Sequence, residues 1–123
     1  MSFDVGRFSI TVNNGASAST GYKVHELFGD VVLSGITSTG IMCFSPASLN
    51  TGVFMQQIAW HDPDDPNIVW YNLAAPPAAG AVAQLNINAY GSVSFRIQAT
   101  TPPNANTTFK YTKQYWATGR VYG

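Results

Sequence analysis

The stretch from Ile58 to Trp70, IAWHDPDDPNIVW, holds the densest group of chemically capable side chains in the sequence. In it, His61 is followed by Asp62, Asp64 and Asp65, which are three of the chain's six acidic residues. Clustered carboxylates are the oxygen ligands that Ca²⁺ prefers, and a histidine beside them suits a zinc site or acid–base catalysis. The segment is therefore the first place to look for a metal or catalytic centre.

The residue order in this segment favours a turn over a calcium site. Pro63 interrupts the aspartates, and neither the glycine nor the distal glutamate of an EF-hand loop follows. Aspartate accepts hydrogen bonds from nearby backbone N–H groups and proline fixes φ, so both are common turn residues. With residues 62–66 as the turn of a hairpin, four apolar side chains would share one face. These are Ile58, Trp60, Ile68 and Trp70.

No other catalytic pattern is visible in the sequence. His25-Glu26 is not followed by a second histidine at the metalloprotease spacing, and no Gly-x-Ser-x-Gly motif is present. The single cysteine, Cys43, lies in the apolar run IMCF and is expected to be a buried hydrophobe. We therefore predict a non-enzymatic protein without cofactor or metal.

The aromatic residues indicate a contact surface. In a strand, neighbouring side chains point to opposite faces, so one member of Trp70-Tyr71 and one of Tyr115-Trp116 must point away from the local core. The residues predicted to contact a ligand or a partner subunit are Trp60, His61, Asp62, Asp64, Asp65, Trp70, Tyr71, Tyr115 and Trp116.

Such a surface has two alternative uses. Tyrosine and tryptophan are enriched at subunit interfaces, which favours a homo-oligomer or docking onto other particle subunits. In a lectin, by contrast, aromatic rings stack on sugar faces while polar loop residues bind the hydroxyls. A glycan site of this kind would combine Tyr115 and Trp116 with Asn104, Asn106 and the aspartates.

Alternation with period two dominates the chain and predicts an all-β protein. The clearest strands are 83–89 and 93–99, which we expect to form a hairpin around Tyr90-Gly91. A further strand is expected over 22–28, and no convincing amphipathic helix is found. The proline-rich segments 74–81 and 101–108 are expected to be loops.

The length of 123 residues suits one domain, so residues 1–123 are predicted to form a single antiparallel β-sandwich or jelly roll of about eight strands. Charged residues make up only 10% of the chain and the formal net charge is zero. Nucleic-acid binding needs clustered lysine and arginine, so we expect no such partner. Low charge also reduces self-repulsion and favours assembly.

No apolar run is long enough to span a bilayer, and no signal peptide is recognisable, so we expect synthesis in the cytosol. The composition is similar in general character to that of small β domains in virus and phage particles. The sequence therefore favours a structural or assembly module, such as a capsid decoration or tail component, found in a virion or another extracellular particle. The alternative is a lectin-like carbohydrate-binding module.

Overall fold

The computed structural model of the protein describes residues 3–28, 40–85 and 93–116. Within these ranges the chain forms eight strands and one short helix. The strands are β1 (Phe3–Val12), β2 (Tyr22–Lys23), β3 (Gly40–Phe44), β4 (Val53–Ala59), β5 (Tyr71–Ala74), β6 (Val82–Leu85), β7 (Ser94–Thr101) and β8 (Thr107–Trp116). The helix, α1 (Val24–Phe28), follows β2 directly.

The strands form two antiparallel sheets of four strands each, which confirms the predicted all-β fold of β-sandwich type. The order is β1-β8-β3-β6 in the first sheet and β2-β7-β4-β5 in the second. Strands from the two halves of the chain pair from the outside inward: β1 with β8, β2 with β7, β3 with β6 and β4 with β5. Two further pairings, β3 with β8 and β4 with β7, complete the sheets.

The core lies between the sheets and follows the alternation seen in the sequence. Ile10 and Phe109, which are register partners in the first sheet, are fully buried, as are Phe95 and Ile97 of the second. The ring of Phe54 meets that of Phe109 edge-on across the core, with centroids 5.0 Å apart. Such aromatic contacts stabilise a core beyond the area they bury.

One buried hydrogen bond links the sheets through the middle of this core. The Tyr111 hydroxyl of β8 donates to Oε1 of Gln56 on β4 over 2.6 Å. Nε2 of Gln56 donates to the Ala74 carbonyl of β5, at the point where the β4–β5 register shifts. The Tyr111 ring stacks on Phe8 at 4.9 Å and meets Phe95 edge-on at 5.9 Å. Both polar atoms of the buried Gln56 amide therefore have hydrogen-bond partners, as burial of a polar group requires.

Cys43 lies beside Tyr111 in the register and is buried, as the sequence predicted. Burial raises the pKa of the Cys43 thiol to about 11, although a hydrogen bond with Tyr111 acts in the opposite direction. Burial, together with Cys43, raises the pKa of the Tyr111 hydroxyl well above its usual value. Both groups are therefore neutral at physiological pH, and the thiol is not a nucleophile.

The predicted hairpin of 83–89 with 93–99 is wrong. β6 pairs with β3 in the first sheet, whereas β7 pairs with β2 and β4 in the second. The chain changes sheet between them, and the expected Tyr90-Gly91 turn lies outside the described residues. Alternation correctly identified two strands, but it specifies only which face of a strand is apolar and carries no information about its partner.

The predicted strand over 22–28 is correct only for its first residues, because Val24–Phe28 is helical. The loop expected over 74–81 is confirmed from residue 75 onward, and that over 101–108 is confirmed for residues 102–106. The sequence also predicts a short apolar strand over residues 31–36, which lie outside the described ranges.

The Tyr111→Phe substitution tests the buried bridge. It keeps the ring packing but leaves Oε1 of Gln56 without its donor, so we expect the free energy of unfolding to fall by about 1–3 kcal/mol. Urea unfolding followed by circular dichroism measures this change.

Tyr71→Phe is the matched control, because Tyr71 is half exposed and its change should stay within about 0.5 kcal/mol. Adding Gln56→Leu to Tyr111→Phe removes both partners and should recover much of the loss. Equal effects of the two tyrosine substitutions would contradict the bridge.

Candidate functional site

The segment between β4 and β5 is a loop from Trp60 to Trp70 and not the tight hairpin that the sequence suggested. Ile58 pairs with Tyr71 rather than with Trp70. The prediction that Ile58, Trp60, Ile68 and Trp70 share one face is therefore wrong. The two tryptophans have separate partners because the loop residues leave the strand ladder at both ends.

The acidic part of the loop is a pair of successive turns. The backbone N–H of Asp65 donates to the Asp62 carbonyl over 3.0 Å, and that of Ile68 donates to the Asp65 carbonyl over 3.1 Å. The Asp65 carboxylate also accepts from the Asn67 N–H at 2.8 Å. The last of these bonds confirms for Asp65 the local role predicted for the aspartates. In the described part of the chain, no three His, Cys, Asp or Glu side chains are grouped so as to hold a metal ion.

The end of the loop folds back over the outer face of the second sheet. Arg96 lies between the buried Phe95 and Ile97 on β7, so its side chain points outward. The Trp70 ring covers the Arg96 guanidinium, with 4.5 Å from Cζ to the ring centroid. This is a cation–π contact, which holds the loop against the sheet. Burial beneath the loop lowers the pKa of Arg96.

Side-chain amides form a ladder on this face, centred on Gln57. Its Oε1 accepts from Nε of Arg96 at 2.8 Å, and its Nε2 donates to Asn72 at 3.0 Å and to Gln98 at 3.2 Å. The ladder thus joins β5, β4 and β7. Gln57 is only 4% exposed, although it points away from the core. A buried amide on an outer face is stable here because its polar atoms have partners.

Two further contacts anchor the loop. The Ser94 hydroxyl of β7 donates to the His61 carbonyl. Gly21, just before β2, lies so close to the loop that a Cβ there would come within 3.1 Å of Pro63 and 3.2 Å of Trp70. A side chain at this position would therefore require Pro63 or Trp70 to shift by a few tenths of an ångström. The loop is thus bonded to β7 and packs closely against the residue before β2.

Trp60 and Tyr71 form an exposed aromatic pair at the edge of this structure. Their rings meet edge-on with centroids 5.1 Å apart, and the residues remain 45% and 51% exposed. Val69, close by in the chain, is also exposed. Of the predicted contact residues in this loop, His61, Asp62 and Asp64 are exposed, whereas Trp70 is half-buried on Arg96. We refer below to Trp60 and Tyr71 as the aromatic pair.

The structure does not assemble the glycan site predicted from the sequence. Tyr115 and Trp116 pair with Asp4 and Phe3 at the far end of β8, whereas Asn104 and Asn106 precede that strand. The strand has 10 residues. At 3.2–3.4 Å per residue it separates the two groups by roughly 30 Å. The aromatic and amide residues therefore lie at opposite ends of the first sheet.

Residues that support the loop were not identified from the sequence, among them Gln57, Asn72 and Arg96. Each is a polar residue within a strand, and a polar strand residue by itself predicts a solvated side chain. Their connection depends on the β4–β5 and β4–β7 registers, which the pattern does not specify.

Comparison with protein-family models, curated proteins and solved structures found no match for this chain. Among residues 3–28, 40–85 and 93–116, no helix is long and apolar enough to cross a membrane. Functional inference therefore starts from the exposed surfaces of the sandwich.

Arg96→Lys tests the anchoring of the loop. Lysine lacks the Nε–H that binds Gln57, so the amide ladder loses a buried partner and unfolding should become easier by about 1–3 kcal/mol. Tryptophan fluorescence during urea unfolding reports the change, with a native-state red shift as Trp70 becomes more solvated. Arg7→Lys, on an exposed position of β1, is the control and should change stability by less than about 0.5 kcal/mol. No difference between the two variants would contradict the anchoring role.

Proposed function

We propose that this protein is a non-enzymatic structural module that self-associates or docks into a larger particle. The observation that carries this proposal is the aromatic pair, Trp60 and Tyr71, held exposed beside an edge strand on a firmly anchored loop. Rigid, exposed tyrosine and tryptophan side chains are typical of protein interfaces, because they bury a large area at little entropic cost.

The open edges of the two sheets support the same proposal. β5 and β6 are edge strands, with the sequences YNLA and VAQL, and neither carries a charge. Monomeric proteins usually protect such edges with lysine, proline or other blocking features, because free N–H and C=O groups pair with other chains. At the other edge of the first sheet, by contrast, the strand β1 carries two charged residues, Asp4 and Arg7. Uncharged edges are suited to coverage by another subunit.

The strand pairing further supports a jelly roll, which is the fold proposed here. The outside-inward pairing is that of one long hairpin, with β1 to β4 as one arm and β5 to β8 as the other, rolled up into two sheets. Jelly rolls are used in viral capsids as well as in lectins. Because a fold serves many functions, the strand order favours neither use by itself.

Within this class, we favour a virion component such as a capsid decoration or tail protein of a virus or phage. The low charge content, net neutrality and uncharged edges fit a subunit whose surface is largely covered by neighbours. The corresponding location is an assembled particle outside the cell.

Light scattering coupled to size-exclusion chromatography tests self-association. The wild-type chain should run as an oligomer at about 100 μM, above a micromolar dissociation constant. Trp60→Ser combined with Tyr71→Ser should weaken association by at least about tenfold, since central aromatic residues dominate interface energies.

Val53→Ser is the matched control, because Val53 is 55% exposed but begins β4 at the other end from the loop. It should leave the mass unchanged. A monomeric wild-type chain, or equal effects of the serine substitutions at both places, would argue against the proposed interface.

Glycan binding is the second candidate function, and its site would be the β4–β5 loop rather than the one predicted from the sequence. Trp60 of the aromatic pair is followed in the loop by the exposed Asp62 and Asp64, so a ring for stacking and acceptors for hydroxyls occur in one segment. A glycan array should then give signals that Trp60→Ala abolishes and Val53→Ala does not. An array without signal from either the wild type or its oligomer would exclude this candidate.

A further inference from the structure

The outer face of the first sheet carries a hollow with a basic rim. Arg7, Phe44 and Lys110 alternate with core residues on their strands, so they point away from the sandwich interior. The hollow has a volume of about 440 Å³. It is lined by Arg7, Phe8, Ser9, Phe44, Lys110, Tyr111 and Thr112. An aromatic side chain at its base and cations at its rim suit a partner that is both apolar and anionic.

A second hollow continues this surface. It measures about 450 Å³ and is lined in part by Phe44 and Lys110 again, together with Pro46, Asn50 and Asn106. Val82, next to Phe44 in the register, is 46% exposed and extends the apolar area toward the β6 edge. We call the surface formed by Arg7, Phe44, Val82 and Lys110 the basic face.

Of the four cationic side chains that the structure describes, Lys23 and Arg96 lie on the second sheet, whereas Arg7 and Lys110 lie on the first. Neither Arg7 nor Lys110 has an ion-pair partner among the acidic residues whose side chains the structure describes. Those acids are Glu26, Asp62, Asp64 and Asp65. Three of these four lie in the β4–β5 loop. A formally neutral chain therefore presents a cationic face and an acidic loop as separate surfaces.

These two surfaces lie on opposite sides of the sandwich. The basic face is the outer side of the first sheet, whereas the loop covers Arg96 on the outer side of the second. A compact domain cannot bring both of its own surfaces together. For the same reason, a two-fold dimer cannot match both surfaces of one copy to those of a single partner.

We propose that the acidic loop of one copy docks onto the basic face of the next copy. Asp62 and Asp64 approach Arg7 and Lys110, and the exposed Trp60 beside them covers the apolar base at Phe44. Opposite charges give the contact its orientation, and the aromatic side chain supplies apolar burial. The inference rests on the proposed function, that of a self-associating module, and specifies its interface.

The contact is head to tail, so it generates a ring or a filament rather than a symmetric dimer. Each added copy exposes a new basic face at one end and a new acidic loop at the other. This geometry suits a component of a tubular or ring-shaped particle.

Charge reversal with complementation tests the proposal. One variant carries Arg7→Glu and Lys110→Glu, and the other carries Asp62→Lys and Asp64→Lys. Each variant places like charges at every contact with itself, so its self-association should weaken by at least about 100-fold. An equimolar mixture pairs each altered surface with its opposite and should recover assembly, as should a single chain with all four reversals. Analytical ultracentrifugation measures the masses.

Two controls separate this contact from general effects of charge. Glu26→Lys, on α1, should leave assembly unchanged. Raising the salt from 0.1 to 1 M shortens the screening length from about 10 to 3 Å and should weaken assembly of the wild type and of the mixture alike. Circular dichroism and a cooperative unfolding transition establish that each separate variant is folded.

The outcomes distinguish this inference from the function on which it rests. If the wild type assembles and the separate variants assemble equally well, the interface is wrong although self-association stands. If the variants dissociate but neither the mixture nor the fourfold reversal recovers assembly, direct pairing of these charges is overturned. A wild type that stays monomeric up to about 1 mM overturns both proposals.

Discussion

The hydrogen bond between Tyr111 and Gln56 is the contact on which the arrangement of the sheets depends. Packing of aliphatic and aromatic side chains tolerates small shifts, whereas a buried amide and a buried hydroxyl must meet within hydrogen-bond distance. The 2.6 Å bond therefore fixes β8 of the first sheet against β4 of the second. The same glutamine binds the Ala74 carbonyl, so the position of the edge strand β5 is set from inside the core.

That constraint extends to the surface through the register of β4 and β5. Because neighbouring side chains of a strand point to opposite faces, the Gln56 amide faces the core and the Gln57 amide faces outward. The outward Gln57 organises Asn72, Gln98 and Arg96, and Arg96 in turn supports Trp70. Consecutive residues of one strand thus connect the inter-sheet core to the loop. The loop in turn holds the aromatic pair in place.

The proposed contact between copies depends on the positions of a few charged side chains rather than on the total charge of the chain. In the proposed assembly, the acids of one loop and the cations on the opposite face supply directional attraction between copies even though the net charge is zero. Uncharged edges at β5 and β6 leave further backbone groups for lateral contacts. Both features suit repeated addition of identical subunits, and either would be a liability in a protein that must remain monomeric.

The amino-acid sequence alone determined the all-β class, the buried state of Cys43, the turn at residues 62–65 and most loop positions. These features depend on local alternation, on proline and on short-range hydrogen bonds. Only the tertiary structure decided which strands pair. It also decided that Trp60 contacts Tyr71 while Trp70 covers Arg96, and that Arg96 binds Gln57. The physical reason is that alternation specifies which face of a strand is apolar, whereas pairing and sheet membership depend on contacts between residues far apart in the chain.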